Sequence, residues 1–410
     1  MEWLFVAVCG LLFAAMWMLH RSAAAPGVLF SGLWFAILGL YACRWMPFDD
    51  VSPETLLIIA LGVFCFGAGE ALGMALEPER ADELPPPLSG PLRRRALYLL
   101  MDAALAYQCV KALQVALLLR AGADFGLIRS QFLQVGAGVI ENATDYYVNL
   151  FVIGGIRLAG MAIAVAETYA GRGSLRLWIQ AALMTALAVV IGGGRLPLYD
   201  LLVFLVVAAL VSENRRGRWA TALAVCLLAS GIGYLSAVRQ AEYSLAEIAY
   251  NNFVLCVPLM DQMIARARRL GDVTWGALTL RGLIEPVGVL LTRLGLPVTV
   301  PAYLTMTGYT NVFYDVGKGL RANAYVSSHF YFWMDGRYVG VVLGNALFGL
   351  VCQRFYRRLR RERDGRALAL YLVVADVLLR SMIRLEFAQG AFVYSMILIA
   401  LLYRAPEGRA

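Results

Sequence analysis

The sequence is poor in charge. Only 16% of its 410 residues are Asp, Glu, Lys or Arg, against about 25% in an ordinary soluble domain. Hydrophobic residues make up 60%, and the mean hydropathy is +0.68. That balance excludes a soluble globular fold and points to a polytopic, all-α membrane protein. Motifs are missing as well. There is no GxxxxGK[ST] phosphate loop, no HExxH and no grouping of metal ligands, so neither an ATP-driven nor a zinc mechanism has support, and no cofactor is expected. None of the seven cysteines (Cys9, Cys43, Cys65, Cys109, Cys226, Cys256, Cys352) stands at CxxC spacing. Most lie in apolar runs and read as small core residues, not as a disulfide or metal framework. The first apolar segment, residues 3–19, has no preceding basic region and no small-residue cleavage site. It reads as a retained helix and not as a signal peptide.

Long apolar runs are abundant. About 20 apolar residues cross a bilayer. Expected spans are residues 3–19, 27–43, 55–76, 96–119, 146–169, 175–192, 197–212, 218–236, 338–356, 367–383 and 387–403. That makes about 11 spans, within a range of roughly 10–13. The net charge of +8 is then explained by basic inner loops and does not call for nucleic acid as a partner. Segment 357–366 holds Arg357, Arg358, Arg360, Arg361, Arg363 and Arg366. Counting back by alternate loops reaches Arg215, Arg216 and Arg218, then Arg172, then Arg93, Arg94 and Arg95, then Arg21. These loops are expected inside, with the N-terminus outside. The opposite, outward loops carry Asp49 and Asp50, segment 120–145, the turn at Arg195 and the long stretch 237–337. Three regions follow: a bundle over 1–236, a large outward loop over 237–337, and further spans over 338–410.

The outward segments are where irregular, functional backbone is expected. "GGGRLPLYD" places Arg195 after three glycines and before Pro197, which suits the first turn of a helix. Arg195 is either a snorkelling arginine or a fixed fork for a phosphate. Segment 120–145 carries Arg129 on a short amphipathic pattern, either an interfacial helix or a second anion contact. Residues 247–294 contain apolar stretches of about ten residues, too short to cross, and read as re-entrant or surface helices. Residues 303–337 are rich in Tyr, Asn, Gly, Ser and Thr. Tyr314, Asp315, Asn323 and Tyr325 could meet sugar hydroxyls or form an interfacial aromatic belt. His329 is a candidate general base or a structural histidine. Asp315 and Asp335 compete with it as bases, or serve as turn residues ahead of Gly317 and Gly336. Arg321 is a third phosphate candidate. Ser52-Pro53, after Asp49 and Asp50, reads as a helix start. Glu70, Asp102, Lys111, Arg157, Glu167 and Asp376 lie within expected spans, either as a transport path or as structural pairs.

Three stretches resemble the Wzy-type O-antigen polymerases, the oligosaccharide repeat-unit polymerases. They are "GGGRLPLYDLLVFLVVA", "VPLMDQMIARARRLGDVTWGALTLRGLIEPV" and "NAYVSSHFYFWMDGRYVGVVLGNALFGLV"; "DFGLIRSQF" adds to the likeness. The resemblance covers roughly residues 120–350. It departs at Asp335-Gly336-Arg337, where family members often have Phe-Gly after the late aspartate. It implies a metal-independent GT-C-type glycosyltransferase bundle with a large periplasmic loop, in the bacterial inner membrane. Its substrates would be lipid-linked oligosaccharides on undecaprenyl pyrophosphate, with membrane lipids and a chain-length regulator protein as further partners. On that implication Arg195, Arg129 and Arg321 bind pyrophosphate. Arg195, His329 and Asp335 are the catalytic candidates, and Tyr314, Asp315, Asn323 and Tyr325 the substrate contacts. The rival readings are an O-antigen ligase, a flippase for the lipid-linked unit, and a membrane scaffold.

Overall fold

Glycine and alanine at helix contacts let apolar helices approach closely, which is the main route to tight packing where lipid is as apolar as the side chains. The computed structural model shows that route in use. It describes residues 1–76, 91–123, 139–192, 194–211, 222, 224–226, 228–233, 244–296, 306, 308–317, 320–323 and 325–404. The chain forms two compact units, neither continuous in sequence. The first contains residues 1–83, 236–357 and 377–389; the second contains 84–235, 358–376 and 390–410. The three consecutive regions expected from the sequence therefore cut the chain differently. The long loop belongs to the same unit as the first three helices.

In the first unit, α1 (Glu2–His20), α2 (Pro26–Ala42) and α3 (Pro53–Leu76) pack together. Ser52 opens α3, its hydroxyl accepting the Thr55 N–H at 3.3 Å, with Pro53 as the first helical residue. This is the start that Ser-Pro dictates. The loop contributes α9 (Leu245–Val254), α10 (Cys256–Leu270) and α11 (Arg281–Arg293). Ser244 and Glu247 form a capping box at the start of α9. The carboxylate of Asp261 in α10 accepts from the Ser52 N–H (3.1 Å) and the Thr55 hydroxyl (2.6 Å), which fixes α10 to the head of α3. Helix α12 (Ser328–Glu362) crosses α3 at glycines. A Cβ on Gly69 would lie 1.9 Å from the Ala346 carbonyl oxygen, and one on Gly349 would lie 2.1 Å from that of Phe66.

In the second unit, α6 (Gly154–Tyr169) is enclosed nearly all round and packs against α4 (Arg94–Arg120), α7 (Leu175–Gly192), α8 (Leu196–Val211) and α14 (Gly390–Leu402). It is reached through the short α5 (Ala143–Tyr147) and a π-helical turn, Val148–Ile153. The remaining long element, α13 (Gly365–Leu379), has residues in both units.

Among the described residues, six helices are long and apolar enough to cross a membrane: Glu2–His20, Pro53–Leu76, Arg94–Arg120, Thr144–Tyr169, Leu175–Gly192 and Ser328–Glu362. Pro26–Ala42, Leu196–Val211 and Gly390–Leu402 are apolar but shorter. Large apolar side chains point outward on these helices, among them Trp3, Leu11 and Met18 on α1 and Leu99, Leu113 and Leu117 on α4. Helices exposing such side chains suit a lipid surrounding, and the chain has the architecture of an all-α membrane protein. The helices lie where the hydropathy places them. Expected span 218–236 falls partly outside the described residues, and most of segment 120–145, with Arg129, lies outside them.

Several charges within the spans have partners among the described residues. Arg176 meets Asp102 at 2.7 Å, Lys111 meets Asp145 at 2.6 Å, and Arg157 meets the fully buried Asp200 at 2.9 Å. Arg172 meets Glu167 at 3.0 Å, and His20 meets Glu70 at 3.0 Å. For Asp102, Lys111, Arg157 and Glu167 the geometry is that of structural pairs.

Candidate functional site

The described residues of segment 306–337 gather aromatic rings and hydroxyls. Tyr314–Asp315 and Arg321–Ala322 form an antiparallel ribbon in which Asp315 faces Arg321. Asp315 and Arg321 are exposed. One Asp315 oxygen accepts the Gly317 N–H at 3.1 Å, which is the turn role open to an aspartate ahead of glycine. Gly317 has φ of 143° and lies against the backbone of 47–49, where a Cβ would come 2.3 Å from the Pro47 carbonyl oxygen. Only glycine fits there. The ribbon is thereby pinned to the loop before α3, with the Asp49 N–H donating to the Val316 carbonyl at 2.9 Å.

Arg266 of α10 reaches two rings of this segment. Its guanidinium lies 5.4 Å from the Tyr309 centroid and 5.9 Å from that of Tyr314, and it donates to the Tyr314 hydroxyl at 3.3 Å. The Tyr309 hydroxyl donates to Asp272 at 2.6 Å. Burial, then the Asp272 carboxylate, pushes the Tyr309 phenol well above its ordinary pKa. Burial also raises Tyr314, against the opposing pull of Arg266. Both phenols therefore stay protonated donors at neutral pH. Tyr325 donates to the Asn252 side chain at 2.9 Å, and Asn323 is half-buried.

Asp335 and His329 are placed differently from an exposed base. Asp335 is spent on the fold: it accepts from the Thr274 hydroxyl, the Leu278 N–H (3.0 Å) and the Thr279 N–H (2.9 Å). It caps the turn that leads into α11. His329 is fully buried against Trp34, with ring centroids 4.5 Å apart, and against Phe30 at 5.7 Å. Neither of its ring nitrogens has a hydrogen-bond partner among the described residues. The Asn345 amide beside it donates to the Val341 carbonyl instead. A general base must come within about 3 Å of the proton it takes. In this conformation His329 reaches no exterior.

The first unit also gathers a charged group that the sequence reading missed. Arg281 pairs with Glu285 at 2.9 Å; Arg380 and Arg384 pair with Glu386 at 2.6 and 2.7 Å. Gly282 joins the two halves, since a Cβ there would lie 2.7 Å from the Phe387 carbonyl oxygen. Arg281, Arg384 and Glu386 all act electrostatically on the Tyr331 hydroxyl. Three arginines and two carboxylates thus meet through these pairs. Arg281, Glu285, Arg380 and Glu386 are buried, while Arg384 keeps 36% of its side chain exposed. Helix α11, which carries Arg281, is amphipathic in the reverse sense. It buries Arg281, Gly282, Glu285 and Gly288, and exposes Leu283, Ile284, Val287 and Leu290. Such a helix suits an apolar surrounding, and its 13 residues span about 20 Å, short of a bilayer core of about 30 Å. The visible signal was Arg380 and Arg384 at i,i+4 near the end of an apolar run.

Arg195 belongs to the second unit. It is half-buried at the head of α8, and its carbonyl accepts the Leu198 and Tyr199 N–H groups at 3.1 and 3.2 Å. The glycine before it is open: a Cβ on Gly194 would meet only the Gly192 carbonyl, at 3.9 Å. Asp200, one turn further on, takes Arg157. Arg129 lies outside the described residues. No family model, no curated protein and no solved structure matches this chain.

Proposed function

We propose that the chain is an inner-membrane polysaccharide polymerase, a metal-independent glycosyltransferase. It would move a growing glycan from undecaprenyl pyrophosphate onto a lipid-linked repeat unit at the periplasmic face. The observation that carries the reading is the Arg281–Arg380–Arg384 group, with Arg384 partly exposed, beside a helix with an apolar outer face. A lipid pyrophosphate needs that combination: guanidinium forks for the oxyanion and an apolar surface for the chain. The loop arginines, read by the positive-inside rule, put residues 380–386 and the segment 306–337 on the outward side.

In the transfer, the acceptor hydroxyl oxygen bonds to the donor sugar's anomeric carbon. The bond from that carbon to the pyrophosphate oxygen breaks, and the electron pair leaves with the pyrophosphate. Fixed cations stabilise this departing charge, the largest electrostatic task of the reaction. Arg384, the most exposed of its group, is the candidate for it in the first unit. Arg195, at the head of a 16-residue helix of the second unit, is a separate alternative, since a helix start adds its own N–H donors. The acceptor proton needs a base. Asp315 is the candidate carboxylate exposed beside Tyr314 and Arg321.

The test is the purified full-length protein in lipid nanodiscs with lipid-linked repeat units. A ladder of products longer than one repeat is expected. Transfer of finished glycan only to a lipid core would make the protein a ligase. Movement of the lipid-linked unit across vesicles without elongation would make it a transporter. Either outcome overturns the polymerase reading.

A further inference from the structure

The second unit holds a cleft of about 350 Å³ between α4 and the elbow at 139–148. That volume lies in the range of small-molecule sites, about 300–1,000 Å³. One wall is fixed by a buried lysine. Lys111 Nζ donates to the Val139 carbonyl at 2.9 Å and to Asp145 at 2.6 Å. The Tyr107 hydroxyl donates to the other Asp145 oxygen, and the Glu141 N–H donates to Asp145 at 3.1 Å. These groups are committed to holding the elbow. The other polar side chains of the lining are Gln114, Glu141, Asn142 and Thr144. Gln114 gives its amide N–H to Glu141 at 2.9 Å, and its own carbonyl oxygen is buried without a partner among the described residues. Glu141 is exposed. One lysine faces two carboxylates, so the lining is formally negative and disfavours phosphate. Val110 and Val148 supply apolar lining, the latter opening the π-helical turn. Such turns often occur at functional sites.

We propose that this cleft binds a neutral sugar ring, whose hydroxyl protons meet the exposed Glu141 carboxylate, held in place by Gln114, and whose apolar face lies on the two valines. The proposal does not depend on the polymerase reading, since a glycan transporter would need the same contact. The experiment is saturation-transfer NMR on the full-length protein in nanodiscs, with glucose, galactose, mannose, N-acetylglucosamine and rhamnose as probes. Transfer to at least one of these sugars is expected, undisturbed by inorganic phosphate or ethanolamine. The double variant Gln114→Ala/Glu141→Ala should lose affinity by about threefold or more, the scale of one neutral hydrogen bond. Val110→Trp, which fills the cleft and leaves its polar groups intact, should abolish transfer at an unchanged thermal midpoint. Absence of transfer from every sugar, retention of transfer in both variants, or displacement by phosphate or ethanolamine overturns the proposal.

Discussion

Among the Gly-Arg steps of this chain, Gly194-Arg195 in the second unit and Gly336-Arg337 in the first each open an apolar helical stretch. On the page of sequence they look alike. In three dimensions they diverge. At the second step the backbone of α12 breaks, with Arg337 at φ of 54°. Its guanidinium lies 3.9 Å from the Trp333 ring centroid and donates to the Asp272 carbonyl at 2.6 Å. Arg337 is thus a clamp on its own fold. Arg195 instead heads a regular helix, preceded by a glycine that no side chain approaches. A Gly-Arg step encodes a break between helices. What the guanidinium then does depends on whether a ring and a carbonyl stand within its reach.

The sharpest way to break this comparison is to exchange the two arginines for alanine in turn. Arg195→Ala should abolish polymer while the protein remains in the membrane, and Arg337→Ala should leave polymer length intact. Full-length polymer from Arg195→Ala would overturn the assignment of that arginine. Arg195→Lys separates fork geometry from bare charge, and recovery of activity there would mean that charge alone suffices. Next in size is Arg384→Ala, expected to lower the single-turnover rate by about 10²–10³, the usual cost of removing one donor to a developing oxyanion. An unchanged rate would restrict Arg384 to its ion pair with Glu386. Asp335→Ala should cost stability and not chemistry, about 1–3 kcal/mol for the unsatisfied N–H groups of Leu278 and Thr279. Thermal unfolding in detergent measures it, with KM for the lipid-linked substrate unchanged. The smallest effect is on the stability of Arg337→Ala, about 0.5–2 kcal/mol for the lost stacking on Trp333. A larger loss would show that the kink itself depends on the guanidinium.

The helices were legible because twenty apolar residues in a row have few other fates. Leu175–Gly192 and Pro53–Leu76 lie where hydropathy puts them. Ser52-Pro53 also carried its own signal, since the cap and the first-turn proline act within four residues. The site was legible only in part. Tyr314, Asp315 and Arg321 do share one ribbon, while Tyr325 bonds to Asn252. His329 and Asp335 could not be judged from the chain alone. Whether a histidine is a base depends on what encloses it, and here Trp34 comes from a helix almost three hundred positions away in sequence. The Arg281–Glu285 and Arg380–Glu386 pairs were missed for the same reason: Gly282 meets residue 387 only after folding.

The sequence by itself determined the solvent of this protein, the places of its helices and the helix breaks at Ser52-Pro53, Gly194-Arg195 and Asp335-Gly336. Those properties arise from hydrophobic transfer and from local backbone chemistry, which act over a few turns. Only the tertiary structure decided which charges are partnered, which histidine nitrogen is sealed and which arginines stand together. Burial and Coulomb interactions depend on distance in space, and residues far apart in the chain become neighbours only when glycine contacts such as Gly69–Ala346 and Gly282–Phe387 close.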